Sequence, residues 1–150
     1  VRMSDTLDYE TIMLALTLWR EARGESFDAK VCVAATVMNR VRLAGWQGDN
    51  VVDVVTKKWQ YSSMSDPRDR QLTTWPSTKD PTFVECIQIA TAVITKVLGH
   101  NPVIDHYYDD SLKGDLIPAW AKQNPDKFMF KIGRLNFYNL GTDPTKVRTA

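Results

Sequence analysis

The sequence predicts an α+β fold that is mostly helical, with one small β-hairpin. Apolar residues recur at helical spacing in several segments before residue 100. Aromatic and aliphatic residues flank a Gly-Arg pair at positions 133 and 134, which is typical of a hairpin. The length of 150 residues is the usual size of one domain. We therefore expect a single domain over residues 1–150, with its core at about residues 8–140 and no separate binding domain.

The first two helices follow from their caps and their apolar periodicity. A helix is expected over residues 8–23, with Asp8 as its N-cap. Gly24 then supplies the positive φ that commonly ends a helix. Ser26 caps a second helix, whose apolar stripe runs through Val31–Val41. We expect this second helix to lie in the core.

The middle of the chain is less regular. Residues 45–49 are expected to form a loop, and Asn50 caps a short helix that reaches about Lys58. Residues 59–79 show little periodicity and many turn-forming residues. A loop of this length in a compact domain is usually functional.

A long helix and several short segments complete the chain. Asp80 and Pro81 form a strong helix start, because proline is favoured in the first turn. The helix continues over Phe83–Leu98 and is expected to end at Gly99. After it we expect an extended segment at Val103–Tyr108, a helical turn at Ile117–Ala121, hairpin strands at Phe128–Ile132 and Leu135–Tyr138, and a frayed tail from Gly141.

Composition limits the classes of protein to which the chain can belong. Nineteen basic and eighteen acidic residues give a net charge of +1, which argues against a nucleic-acid binder driven by phosphate neutralisation. No apolar run approaches the about 18 residues of a membrane span, so no membrane insertion is expected. The N-terminal residues lack the apolar stretch of a secretory signal. We expect a monomer that is made in the cytoplasm without a signal peptide.

The two cysteines are expected to be free. Cys32 and Cys86 both fall within helical patterns, and one pair in a chain of this size is not a disulfide framework. Two buried thiols are therefore favoured over a bridge between them. Few cysteines also fit synthesis in a reducing cytoplasm.

Two carboxylates flank the break between the first two helices. Glu21 lies at the end of the first helix and Glu25 follows four residues later, with Arg20 and Arg23 beside them. The helix dipole disfavours a charged carboxylate at a helix C-terminus, which suits an acid that has to keep its proton. The structural alternative for Glu21 is a salt bridge with Arg20 or Lys30. For Glu25 it is a local role, either a hydrogen bond to the adjacent loop or pairing with Arg23.

The segment Glu21–Glu25 and the apolar helix after it resemble the cell-wall hydrolase family of the spore-cortex-lytic enzymes of bacilli, a domain that phage endolysins also carry. Further matching blocks follow in the family's order: Trp59–Ser62, His106–Tyr108, Pro118–Ala121 and Ile132–Tyr138. The resemblance implies a lysozyme-like fold and cleavage of the β-1,4 bond between N-acetylmuramic acid and N-acetylglucosamine in peptidoglycan. Without a signal or an added wall-binding domain, a phage endolysin that causes host cell lysis is favoured.

The resemblance also implies roles for individual residues. Glu21 matches the family's catalytic glutamate and is expected to be the general acid, with Glu25 as a second catalytic candidate. The residues expected to bind the sugars are Gln60, Tyr61, Ser62, Asp105, His106, Tyr107, Tyr108 and Trp120. Aromatic rings with polar tips suit stacking on sugars. Alternation along a strand favours a core position for Tyr107 over Tyr108, and Trp120 fits the core or the cleft equally well.

The chain departs from the family pattern just before His106, where Ile104 and Asp105 replace the usual Gly-Ala pair. Asp105 and Asp109 are therefore candidates for an additional carboxylate near the cleft. If either faces Glu21, a hydrolytic muramidase with two carboxylates is favoured. If neither does, the one-acid route of a lytic transglycosylase fits better. In that route the 6-hydroxyl of the muramic acid attacks, and Glu21 acts first as acid and then as base.

Two other functions stay open at this point. The chain has two histidines, His100 and His106, and no HExxH motif or spaced Cys/His cluster, so we expect no metal and no cofactor. A zinc-dependent N-acetylmuramoyl-L-alanine amidase would need both histidines. The remaining alternative is an inactive module that binds peptidoglycan, against which the presence of Glu21 argues.

Overall fold

The structure, a computed structural model, describes residues 8–43 and 48–143. Over these residues the chain is mostly helical with a small three-stranded antiparallel sheet, which confirms the predicted α+β class. The α-helices are α1 (Tyr9–Ala22), α2 (Phe27–Arg42), α3 (Val51–Thr56), α4 (Ser62–Ser65), α5 (Pro81–Ile94) and α6 (Ala119–Gln123). The strands are β1 (His106–Asp109), β2 (Phe128–Ile132) and β3 (Leu135–Tyr138). Short 3-10 turns lie at Arg70–Thr73, Gly114–Leu116 and Pro125–Lys127.

Helix α1 lies at the centre of the helical part and packs against α2, α3 and α5. Leu14 and Leu18 on its apolar stripe are completely buried. Helix α2 contributes Val33 and Val37 to the same core, as its apolar stripe predicted. Burial of each such side chain contributes about 1.5–3 kcal/mol. This packing holds the last turn of α1, and with it Glu21, in a fixed position.

The predicted N-caps are confirmed. Each accepts a backbone N–H group in the first turn of its helix, namely Asp8 for α1, Ser26 for α2, Asn50 for α3 and Asp80 for α5. Such a cap contributes about 1 kcal/mol. The predicted hairpin is also present, with Gly133 at a φ of 57° in the turn between β2 and β3. These local signals therefore define where most of the long elements begin.

Strand β1 joins this hairpin at its free side, so that the strand order is β1-β3-β2. In the antiparallel register Tyr107 lies opposite Phe137, and Asp109 lies opposite Leu135. Phe137 and Leu135 are buried in the core. Because paired residues project from the same face of a sheet, Tyr107 and Asp109 lie on the core-facing side. Strand β1 is thus an edge strand next to the end of α1.

The turn between α1 and α2 differs from its prediction. Gly24 does not take a positive φ, and α1 stops at Ala22. The Glu25 N–H donates to the Ala22 carbonyl oxygen at 2.9 Å, which closes a tight turn before α2 begins. Glu21 consequently lies inside α1 and Glu25 beyond it, so the two carboxylates do not share a helix face.

Helix α5 is shorter than predicted. It stops at Ile94 rather than at Gly99, because Lys96 takes the left-handed conformation with a φ of 64°. The Leu98 N–H then donates to the Ala92 carbonyl oxygen at 3.0 Å, which satisfies a carbonyl group of the last turn. Glycine or asparagine is usual at such a helix end, so a lysine there gives no sequence signal.

Several other boundaries move. The segment 59–79, which was predicted to be a loop, contains α4 and a 3-10 turn. Strand β1 begins at His106 rather than at Val103, and α6 lies two residues later than the predicted turn Ile117–Ala121. Each of these elements is short, so its limits depend on tertiary contacts more than on local propensity.

Residues 141–143, the described part of the tail that was predicted to fray, are held in place, and residues 144–150 lie outside the described residues. The N–H groups of Gly141 and Thr142 donate to the Asp105 carboxylate at 3.0 and 2.9 Å, and Thr142 is buried. The predicted loop at 45–49 falls in part on residues 44–47, which lie outside the described residues.

Both cysteines are free, as predicted. Cys86 is buried, whereas Cys32 is half-buried. Burial raises the pKa of each thiol to about 11, so both are uncharged near neutral pH. Within residues 8–43 and 48–143, none of the helices is long and apolar enough to cross a membrane.

Candidate active site

A cleft of about 470 Å³ lies between the end of α1, the segment that leads into α4, strand β1 and the start of α6. Its lining includes these residues that the sequence singled out: Glu21, Gln60, Tyr61, Ser62, His106, Tyr107, Tyr108 and Trp120. It also includes Arg40, Trp59, Asp109, Leu112, Pro118 and Leu135. Glu25 and Asp105 are not part of this lining. Segments that are distant in the sequence thus meet in one concave surface, the usual form of a binding site.

Glu21 lies in the last turn of α1, half-buried at the cleft. Its Oε1 accepts the hydroxyl proton of Tyr107 at 2.5 Å, and its Oε2 accepts the Ser63 N–H at the long distance of 3.4 Å. Lys30, a salt-bridge partner that the sequence offered, instead pairs with Glu85 at 2.7 Å. Within the described part of the chain, no cationic side chain pairs with Glu21.

Tyr107 links the core to the cleft. Its ring packs against Phe137 and Tyr61, with centroids 5.8 and 6.3 Å away. Burial raises the pKa of Tyr107 well above its usual value, and the negative charge of Glu21 raises it further. The Tyr107 hydroxyl therefore stays protonated and donates a hydrogen bond to Glu21. A ring that is held by the core thus orients the carboxyl group of Glu21.

Asp105 lies beneath the cleft and is only 3% exposed. Its carboxylate accepts hydrogen bonds of 2.8–3.0 Å from the N–H groups of Leu140, Gly141 and Thr142, the Thr142 hydroxyl and His106 Nδ1. Burial alone would raise the pKa of Asp105, but these hydrogen bonds outweigh it and lower the pKa below its usual value. Asp105 therefore stays ionised and anchors the chain after β3. The structure does not place it as an additional carboxylate facing the cleft.

His106 has its orientation fixed from below. Its Nδ1 lies 3.0 Å from Asp105 Oδ1, so the neutral ring carries its proton on Nδ1 and keeps Nε2 as an acceptor. Burial lowers the pKa of His106, although the bond to Asp105 opposes this shift. The ring is therefore neutral near pH 7. Nε2 lies on the side of the ring away from Asp105, and it makes no hydrogen bond within residues 8–43 and 48–143.

Aromatic rings form one wall of the cleft. The Trp120 ring lies 4.9 Å from His106, 6.1 Å from Tyr108 and 5.2 Å from Tyr138, measured between centroids. Trp120 and Tyr108 are half-buried, so part of each ring reaches the cleft. Rings that are fixed by such contacts offer a rigid surface on which a flat ligand can stack.

Arg40 connects the floor of the cleft to three segments. Its Nη1 donates to Gln60 Oε1 at 2.5 Å, and its Nε donates to the Asp105 carbonyl oxygen at 2.7 Å. Its guanidinium lies over the Tyr61 ring, 4.9 Å from the centroid. Arg40 is buried, and these contacts satisfy N–H groups of its guanidinium that would otherwise be costly to bury. It therefore fixes both Gln60 and the start of β1.

Sequence reasoning missed Arg40 and did not assign Trp59 to the site. Arg40 follows Val33 and Val37 at helical spacing, so it is a charged residue on the buried stripe of α2. That pattern was a usable signal for a buried cation. Trp59 was part of a matching block, but its position at the cleft is decided by the backbone of its turn.

Glu25 and Asp109 are both tied to the hairpin. Glu25 Oε1 accepts the Arg134 N–H at 3.0 Å, so its contact is with the distant hairpin turn rather than with the local loop that the sequence suggested. Asp109 lines the cleft, but its Oδ1 accepts from the Ser111 N–H at 2.8 Å and from Arg134 Nη2 at 3.2 Å. Among the carboxylates that line the cleft, Glu21 is therefore the one without a cationic partner in the described residues.

The site shows no arrangement suited to metal. Over residues 8–43 and 48–143, no group of three or more His, Cys, Asp or Glu side chains could hold an ion. The two histidines bond to different partners, His100 to Asn39 at 3.3 Å and His106 to Asp105. The cleft instead combines a carboxyl group with aromatic rings and fixed polar groups, which suits proton transfer on a bound ligand.

Comparison with known proteins gives a family match. A family model described as Cell Wall Hydrolase matches residues 24–138, which is more than half of the chain. The match includes Glu25 and the segments that form most of the cleft, but it begins after Glu21. The role of Glu21 therefore rests on its motif and on its geometry. Searches of curated proteins and of solved structures gave no match.

Proposed function

We propose that this chain, which belongs to the cell wall hydrolase family, cleaves the glycan strands of peptidoglycan by proton transfer at Glu21. The bond that we propose is the β-1,4 linkage between N-acetylmuramic acid and N-acetylglucosamine. One observation carries the proposal: the Glu21 carboxyl group faces an aromatic cleft and is oriented by the Tyr107 hydroxyl. Family membership supports the wall as the substrate.

The first step is protonation of the leaving oxygen. Oε1 of Glu21 is engaged by Tyr107, whereas Oε2 has only the long contact with the Ser63 N–H, so Oε2 is the oxygen that a substrate can approach. The proton moves from Glu21 to O4 of N-acetylglucosamine as the bond to C1 of the muramic acid breaks. The muramic ring is left with an oxocarbenium-like C1, and Glu21 is left as a carboxylate.

We propose that the reaction ends without water, as in a lytic transglycosylase. The 6-hydroxyl of the muramic acid attacks C1, and its proton returns to Glu21. The product is a 1,6-anhydromuramic end, and the enzyme is regenerated. This route is favoured because Glu25 and Asp105 lie outside the cleft lining and hold other segments. A muramidase remains the second candidate, because Asp109 does line the cleft.

Mass spectrometry of the muropeptides released from purified peptidoglycan tests both levels of this proposal. Anhydro ends, one water lighter than hydrolytic products, are expected. Reducing muramic ends would overturn the transglycosylase step and favour a muramidase that uses Asp109. Stem peptides released from uncut glycan would overturn glycan cleavage and indicate an amidase. Binding of the wall without any product would indicate an inactive module.

The biological setting stays a prediction. The role as a phage endolysin, cytoplasmic synthesis without a signal peptide and the monomeric state are expected from the sequence, and the contacts within residues 8–43 and 48–143 do not bear on them. The lysozyme-like type of fold is likewise a prediction, whereas the α+β class is established.

A further inference from the structure

Trp59 occupies a backbone position that normally takes glycine. The Gln60 N–H donates to the Lys57 carbonyl oxygen at 3.1 Å, which closes a four-residue turn, and Trp59 has a φ of 70° as its third residue. A positive φ at that position alone is typical of a type II turn, where glycine or asparagine is favoured. The Trp59 side chain is 72% exposed, so its burial does not offset this strain. Strain of this kind is typical of ligand-binding positions.

The Trp59 ring separates the cleft from a second cavity. Trp59 lines the cleft that holds Glu21. It also lines a neighbouring cavity of about 280 Å³, together with Lys58, Ser65, Asp66, Pro67 and Arg68. A ligand that fills the cleft would therefore reach the second cavity across the indole ring. Arg40 holds the side chain of the adjacent Gln60, the last residue of the strained turn.

The second cavity has a net positive charge. Lys58 Nζ lies 4.8 Å from the centroid of the Trp59 ring, and the Arg68 guanidinium lies 5.9 Å from it. Asp66 neutralises Arg68, because it accepts from Arg68 Nε at 3.1 Å and from Nη2 at 3.0 Å. Lys58 forms no ion pair with any carboxylate among the described residues. One positive charge therefore stays available at the edge of the cavity.

We propose that this second cavity binds the stem peptide of peptidoglycan. The inference rests on the proposed function, because it takes the neighbouring cleft as the site of the glycan strand. The stem peptide is attached to the muramic acid and carries carboxylates, whereas the sugar rings themselves are uncharged. A positive cavity beside the cleft therefore fits the peptide better than it fits another sugar. Lys58 pairs with a peptide carboxylate, while Trp59 and Pro67 contact its apolar parts.

The test compares two probes in the catalytically blocked Glu21→Gln background. One probe is glycan strands with their stem peptides, and the other is uncharged β-1,4-linked oligomers of N-acetylglucosamine, because an amidase would leave a free lactyl carboxylate on each muramic acid. The measured quantity is the ratio of the two dissociation constants. Tighter binding of the peptide-bearing strands is expected. Lys58→Gln should lower that preference about threefold, as for an exposed ion pair, and Trp59→Gly should lower it about tenfold, as for loss of a stacked ring.

Controls separate this proposal from unfolding and from the proposed function. Lys57→Gln alters a neighbouring exposed lysine that lines neither cavity, and it should keep the preference. The melting temperature of Trp59→Gly should not fall, because glycine favours a positive φ. Equal weakening on both probes would make Trp59 a sugar-binding ring and overturn the proposal, as would equal binding of both probes by the parent. A preserved preference without any glycan cleavage by the native chain would support the peptide site and refute the proposed function.

Discussion

The end of α1 and the segment beneath β1 each bring a carboxylate to the cleft region, and the two are surrounded very differently. Glu21 has one short hydrogen bond, from Tyr107, and one long one, from the Ser63 N–H. Asp105 has five hydrogen bonds and is almost completely buried. One carboxylate lies at the surface of the cleft, and the other lies below it.

This difference shows how to separate a reactive carboxylate from a structural one. An acid that gives a proton to a substrate and takes one back needs an oxygen that the substrate can reach. Every oxygen of Asp105 is covered by a donor from the protein, and these donors stabilise its charged form. Asp105 holds His106 and the chain after β3 in place.

The largest effect is expected from Glu21→Gln. Glutamine keeps the size of the side chain but cannot supply the proton, so glycan cleavage should fall at least about 100-fold while the melting temperature stays the same. Release of soluble muropeptides measures the rate. Glu25→Gln is the matched control, and its loss should be smaller than about tenfold because Glu25 does not line the cleft. Activity above about a tenth in Glu21→Gln would refute its role as the general acid.

Asp105→Asn tests whether the buried Asp105 carboxylate anchors the chain after β3. The asparagine amide would turn N–H groups toward the N–H groups of Leu140, Gly141 and Thr142, and buried donors would lose their acceptor. The free energy of unfolding should fall by about 2–3 kcal/mol, as measured by urea denaturation. Asp115→Asn, at a fully exposed carboxylate, is the control and should change little. Unchanged stability in Asp105→Asn would show that this network does not anchor the chain.

The free energy of unfolding should depend on pH through Asp105 and His100. Because the pKa of Asp105 is lowered in the folded state, its stabilising contribution is present above an unfolded pKa of about 3.9 and is lost as the pH falls through the folded pKa. Burial lowers the pKa of His100 to about 4, so between about pH 6.5 and 4 the unfolded state binds a proton that the folded state does not. The free energy of unfolding therefore falls as the pH drops through this range. Urea denaturation at several pH values measures the free energy of unfolding. Its decrease with falling pH should be smaller in Asp105→Asn below about pH 3.9, and smaller in His100→Gln between about pH 6.5 and 4.

Tyr107→Phe removes the hydroxyl that donates a hydrogen bond to Glu21. Removal of the hydroxyl leaves the ring in the core but releases Oε1, so kcat should fall about tenfold with KM nearly unchanged. Steady-state kinetics on soluble glycan strands separate these constants. Tyr9→Phe removes an exposed hydroxyl from the first turn of α1 and should have no effect. A rise in KM with constant kcat would mean that Tyr107 binds substrate rather than orients Glu21.

Chelation should have the smallest effect. Since the described residues offer no group that could hold a metal ion, EDTA is expected to leave the cleavage rate unchanged. The measurement is the muropeptide release assay with and without chelator. Activity that is lost with EDTA and restored by zinc would indicate the amidase chemistry instead.

The local features of this protein could be predicted from its sequence. Helix starts at Asp8, Ser26, Asn50 and Asp80 and the hairpin turn at Gly133 were predictable, because a cap or a tight turn depends on a few adjacent residues. The motif around Glu21 was also visible. The end of α5 was not, because Lys96 takes a conformation that its own side chain does not favour.

The contacts that each carboxylate makes depend on the tertiary structure. Tyr107 reaches Glu21 across 86 positions of the chain, and Thr142 reaches Asp105 across 37. Asp105 was expected at the cleft because it precedes His106, yet the chain after β3 returns to cover it with donors. Contacts of this kind depend on the path of the whole chain. The groups that hold a carboxylate charged, or leave it open to a substrate, come from segments that meet only when the core packs.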